Sequence, residues 1–175
     1  MPEFVQKTVH THPRPAASEV LAKAKQPVVL VLENIRSGNN VGAILRTADA
    51  FGLERVLLAG YTPAPPHREI LKTSLGAEEA VAWSRVDELP TALVGFRQNG
   101  YRVTALEQST NATLLHDYRA AAHAGTVLIL GNEVRGVTPE TLALCDEVLE
   151  IAQVGHKQSL NVSVAAGVAA YALTR

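Results

Sequence analysis

The chain has 175 residues, with 16 Lys and Arg against 17 Asp and Glu and a formal net charge of −1. That length suits one domain with a real core, and the 47% apolar share excludes a disordered chain. The charge balance excludes a surface that is basic throughout, although a local patch suffices to hold a polyanion.

The stretch up to Gln26 is polar and mixed. His10, His12, Pro13, Arg14 and Pro15 suggest a mobile arm, and residues 18–25 a short helix capped by Ser18. Residues 1–26 are thus expected as an N-terminal arm and 27–175 as the domain proper. From there strands and helices alternate. Val28-Val29-Leu30-Val31-Leu32 is a continuous apolar run, as in a parallel strand buried on both faces. A helix over 41–51 follows, with its stripe at Val41, Ile44, Leu45 and Ala48. Next come a strand over 56–59, a helix over 68–75, a strand over 80–83 and a helix over 86–98. The pattern continues with a strand over 102–106, a short helix over 114–122, a strand over 126–130, a helix over 139–144, a strand over 147–151 and a terminal helix. Strict alternation predicts an α/β fold, a mostly parallel sheet with helices on both faces. Ligands of such sheets bind where strands end, so the loops leaving strands matter most.

Three of these loops stand out. In the first, Glu33 to Thr47, Asn39 or Asn40 can cap the helix and aim amide groups at a ligand. Arg46 lies off the apolar stripe and leans back over Gly42, an arrangement that suits a planar anion. A solvated arginine paired with Asp49 is the plainer reading of the spacing. In the second, Gly131-Asn132-Glu133-Val134-Arg135-Gly136, the glycine spacing imitates a P-loop, but Val137-Thr138 stands where a lysine is required. Glu133 would repel a phosphate and better suits a cation or a hydroxyl donor. Thr138 and Pro139 are expected to start the next helix. In the third, Gly155 loosens the backbone before Ser159 or Asn161 caps the terminal helix. On that helix Val164, Val168 and Tyr171 form one face. Ser163, Ala166, Gly167 and Ala170 form another, small enough for either packing on the sheet or a close dimer seam.

Weaker signals complete the reading. His10 and His12 lack a third metal ligand, so no metal is expected. The proline-rich stretch from Tyr61 ends in His67 and Arg68, with Lys72 one turn on; it is either a phosphate contact or a solvated loop. Arg36, in the first loop, joins these as a candidate substrate contact. Cys145 stands alone and reads as a small buried residue in a reducing compartment. Asn111 and Asn161 match the glycosylation pattern by chance, since no secretion leader is apparent. The apolar end is shorter than the roughly 20 residues of a membrane span. The serine-hydrolase elbow and the dinucleotide fingerprint are both missing.

Taken together and in order, the three loops resemble the SPOUT (trefoil-knot) RNA methyltransferases, in the TrmH-type branch. The resemblance rests on Asn40-Val41-Gly42-Ala43-Ile44-Leu45-Arg46-Thr47-Ala48, on Gly131 to Gly136, and on Ile151 to Gly155 followed by Ser159-Leu160-Asn161-Val162-Ser163-Val164-Ala165. It covers residues 27–173. It implies a C-terminal deep trefoil knot, a homodimer seamed by the terminal helix, and S-adenosyl-L-methionine held by Gly131, Ile151, Leu160 and Gly155. It also implies transfer of a methyl group to a ribose 2′-hydroxyl of tRNA or rRNA in the cytoplasm, with Arg46, Asn40, Glu133, Ser159 and Asn161 as catalytic residues. Arg46 would act from the partner protomer. A noncatalytic RNA-binding module keeping the knot is the alternative. The chain departs from the family where Ala152 and Gln153 replace the usual proline and methionine, which is expected to change loop stiffness. Many relatives also carry a separate N-terminal RNA-binding domain, so substrate recognition is expected to fall on the arm, the dimer surface and loops such as 61–68.

Overall fold

A computed structural model describes residues 15–119, 123–156 and 159–175. His10, His12, Pro13 and Arg14 lie outside them. Helix α1 (Ala17–Leu21) is shorter than expected, and Ser18 is not its cap. The amides of Glu19 and Val20 both donate to the Ala16 carbonyl, which closes the first turn without a side-chain acceptor.

Strand β1 (Gln26–Glu33) is buried from Val28 to Glu33. Its side chains divide by parity, as a period of two requires. Val28, Leu30 and Leu32 join one apolar cluster, while Val29 and Val31 join the other. Helix α2 (Gly38–Ala50) covers the first face, and Val41, Ile44, Leu45 and Ala48 are all buried there as their spacing required. Strand β2 (Leu53–Ala59) pairs parallel with β1.

Helix α3 (Arg68–Ser74) packs on α2. The strand expected at 80–83 is displaced. Leu75 and Gly76 take left-handed backbone angles, and a fresh turn, α4 (Ala77–Ala80), forms before β3 (Trp83–Val86) joins β2. Helix α5 (Leu89–Gln98) covers the second face, and β4 (Tyr101–Leu106) returns to the sheet. The helix expected over 114–122 is contradicted up to residue 119. Residues 113 and 114 instead form β5 (Thr113–Leu114), and the Leu115 amide donates to the Glu150 carbonyl at 2.8 Å. An open sheet edge claimed the donors that a helix would have used. Residues 120–122 lie outside the described set.

Strand β6 (Gly125–Leu130), helix α6 (Pro139–Leu142), strand β7 (Glu147–Glu150) and helix α7 (Val162–Leu173) complete the chain. The seven strands run in the order β3-β2-β1-β6-β4-β7-β5, with every pairing parallel. The expected α/β architecture is therefore present. Of the small face of α7, Ala166 and Ala170 are fully buried with Ala169 in the chain's own core, against α2, whereas Ser163 and Gly167 are half-buried. Small side chains let two helices of one chain approach closely. Val164, Val168 and Tyr171 remain exposed. No helix among the described residues is long and apolar enough to cross a membrane.

Candidate functional site

The loop leaving β1 begins with Asn34, whose positive φ of 56° turns the chain sharply off the sheet. Ser37, rather than Asn39 or Asn40, caps α2, accepting from the Asn40 amide at 3.4 Å. Asn40 is thereby released for longer reach. Its Nδ2 donates to Glu133 Oε1 at 2.9 Å, and its Oδ1 accepts from Asn161 Nδ2 at 3.2 Å. Residues 93 and 121 positions downstream thus meet one side chain. Glu133 also accepts from the backbone amides of Arg36 at 2.9 Å and Ser37 at 3.0 Å. Burial opposes its charge. The donated hydrogen bonds from Arg36, Asn40 and Ser37 and from its own amide outweigh that and hold the carboxyl below its ordinary value.

The second loop is pinned at its base. Asn132 and Gly136 exchange two backbone hydrogen bonds, of 3.0 and 2.9 Å. Gly131 has no room for a side chain: a Cβ there would come within 2.1 Å of the Gly136 and Val137 backbone. The Asn132 side chain, almost fully buried, is an organiser that the sequence reading missed. Its Nδ2 donates to the Asn34 carbonyl at 2.8 Å and to Tyr61 Oη at 3.0 Å, and its Oδ1 accepts from the amides of Val134 and Arg135. Thr138 caps α6 as expected, and its amide and hydroxyl also donate to the buried Glu33 carboxylate.

Between these loops and the start of α7 lies a cavity of about 510 Å³. Gly131, Ile151 and Leu160 all line it, as do Glu133, Ser159 and Asn161. Gly155 does not; it lines a neighbouring groove with Gln108 and Glu150. Asn161 caps α7, accepting from the Ser163 amide at 2.8 Å. The cavity's chemistry is one-sided. Glu107, Glu133 and Glu150 contribute carboxylates, Leu106, Leu130, Ile151 and Leu160 contribute apolar walls, and among the described residues no Lys, Arg or His lines it. A ligand-sized space with these described walls suits a cation with apolar parts better than a phosphate.

The cations lie elsewhere. Arg46 is exposed and lines a separate groove of about 490 Å³ with Lys72, Thr73 and Phe51. It has no ion pair with Asp49. The backbone at Gly42 is not cleared for an anion, because α3 fills the space: a Cβ there would stand 2.1 Å from Thr73 Oγ1 and 2.4 Å from the Ile70 carbonyl. Arg36 and Arg68 are exposed, and His67 caps α3 by accepting from the Glu69 amide at 3.3 Å. The structure therefore joins Asn40, Glu133 and Asn161 directly. It places Ser159 on the same cavity and sets Arg46 and Lys72 apart from it. Glu107 and Glu150 were missed too, although each stands at or just past the end of a strand, where the fold class directs attention.

Such an arrangement defines an α/β ligand-binding domain whose site is built from three loops at the carboxyl edge of a parallel sheet. Residues 27–171 match the SpoU rRNA Methylase family, and the chain belongs to that family. It is 31% identical over 158 residues to the 23S rRNA (guanosine-2′-O-)-methyltransferase RlmB of Vibrio vulnificus, covering 90% of this chain and 62% of that protein. The chain thus spans about three-fifths of that relative's length. Its structure is similar to that of the A. aeolicus TrmH/SpoU tRNA modifying enzyme, with a TM-score of 0.79 and 28% identity over 90% of this chain and 79% of that one. The SpoU methyltransferase AviRb from Streptomyces viridochromogenes in complex with the cofactor AdoMet shares the fold, with a TM-score of 0.77 and 22% identity over 91% of this chain and 62% of that one.

Proposed function

We propose that the chain is an S-adenosyl-L-methionine-dependent RNA methyltransferase acting on a ribose 2′-hydroxyl of tRNA or rRNA, as a homodimer in the cytoplasm. The observation that carries this reading is the acid-lined cavity, tied through Asn40, Glu133 and Asn161 to the loop that opens α2. S-adenosyl-L-methionine, when bound, supplies a methyl group activated by a sulfonium cation. Gly131, Ile151 and Leu160 would hold it, and the surrounding carboxylates favour its charge. The activities of these relatives on rRNA and tRNA support an RNA substrate. A noncatalytic RNA-binding module would have no use for such a cavity. A C-terminal trefoil knot belongs to the same proposal; β7 lies outside β4, yet α7 returns across the sheet to α2.

The nucleophilic hydroxyl must lose its proton as it attacks. Arg46 is permanently protonated and cannot take it. Its role is to hold the phosphate beside the target ribose and favour the developing alkoxide, while a phosphate oxygen accepts the proton. Lys72, in the same groove, adds positive charge for that phosphate. Arg36, His67 and Arg68 contact neighbouring phosphates. Asn40 and Glu133 hold the first two loops together and so fix the nucleotide's seat. Ser159 and Asn161 shape the pocket. Arg46 lines a groove apart from the cavity of its own chain, which supports a site completed by the partner protomer. The exposed face of Val164, Val168 and Tyr171 supports α7 as part of the seam. The test is incubation of the chain with methyl-labelled S-adenosyl-L-methionine and total tRNA or rRNA. Label enters RNA if the proposal holds; RNA left unlabelled by a folded chain that binds the cofactor would refute it.

A further inference from the structure

We infer that Glu107 reads the ribose diol of the cofactor's adenosine half and is the specificity residue for it. This rests on the proposed use of S-adenosyl-L-methionine. Glu107 follows β4 directly, and its amide donates to the Leu149 carbonyl of β7 at 3.0 Å, which fixes the backbone. Its side chain is fixed as well. One carboxylate oxygen accepts from the Gln108 amide at 2.9 Å and the other from the Val137 amide at 3.1 Å. Gly136 passes so close that a Cβ there would lie 2.1 Å from Glu107 Oε2. A carboxylate is acceptor-only, and each oxygen, bonded once among the described residues, keeps acceptor capacity. Two adjacent oxygens on the wall of a cavity match two adjacent hydroxyl donors.

The nucleotide seat proposed at Asn40 and Glu133 decides which part of the cofactor meets Glu107. The loop after β6 divides the site. On its β1 side stand Asn40 and Glu133, linked to Asn161, where the reacting methyl must face the RNA. On its β4 and β7 side stand Glu107, Glu150 and Ile151. The nucleoside half therefore falls on the side of Glu107, and the sulfonium on the side of Glu133.

The test is calorimetric binding of 5′-methylthioadenosine and its 2′-deoxy analogue, neither of which carries the amino-acid end. The native chain is expected to bind the diol compound about tenfold or more tightly than the analogue, the value of a hydrogen bond to a charged group. Glu107→Ala is expected to bind the two alike. Glu107→Gln keeps the volume and an acceptor for the Val137 amide, and its preference is expected to shrink severalfold; it carries the test if the alanine variant fails to fold. A preference unchanged in either folded variant, or equal weakening toward both compounds, would overturn the assignment. A native chain that binds both compounds without preference would sink the Glu107 reading alone. Binding of neither would sink the cofactor reading with it.

Discussion

Asn40 shows how much of the site one side chain carries. Freed from capping by Ser37, it bridges an acid in the second loop and an amide in the third. Arg46 differs, since it touches neither and lines its own groove with Lys72. Arg46→Ala is therefore expected to lower methyl transfer by about 10²–10³-fold, the usual cost of losing one donor to developing negative charge, with cofactor affinity retained by calorimetry. Glu133 gives a pH signature. Its carboxyl is held below its ordinary value of 4.5 by donated hydrogen bonds that outweigh burial. A depressed folded value means the stabilisation is fully present above about 4.5 and is lost as pH falls through the folded value. The native chain is expected to melt above Glu133→Gln at pH 7, with the gap closing as melts are repeated at falling pH below about 4.5. A gap constant with pH would show that charge at Glu133 does not stabilise the loop.

Elements whose pattern is set by burial were legible in the sequence. The run at 28–32 and the stripe on α2 have only one way to hide their side chains, and the structure hides them so. Elements decided by backbone donors were not legible. The edge strand at Thr113 and the extra turn at Ala77 depend on a neighbouring strand end and on two left-handed residues, which no local periodicity reports. The site divides in the same way. The motif residues were readable from their order, whereas Asn132 and Glu107 act through contacts with distant backbone. Gly42 was misread as an opening for an anion, because α3 is invisible from α2 alone. Gly42→Ala is expected to lose about 1–3 kcal/mol by overpacking against Ile70 and Thr73, measured by denaturant unfolding. An unchanged midpoint would mean that α3 is not held there.

For the whole molecule, the proposed site is divided between the acid-lined cavity and the groove of Arg46 and Lys72, and the proposed dimer is what would bring them together. Tyr171 stands half exposed on α7 and edge-on to Phe51, which lines the Arg46 groove. Tyr171→Asp is expected to sediment as a monomer and to lose transfer; a dimer of native activity would place the seam elsewhere. With a near-neutral net charge, the proposed RNA substrate is expected to be held by local contacts and released by moderate salt. In the proposed reaction the accepted methyl sits on a ribose 2′-oxygen. Alkaline hydrolysis of RNA needs a free 2′-hydroxyl, so a methylated ribose protects its own linkage. RNA labelled by this chain and hydrolysed in alkali should carry the label in alkali-stable dinucleotides. Label recovered in mononucleotides, as from a methylated base, would exclude ribose methylation by this chain.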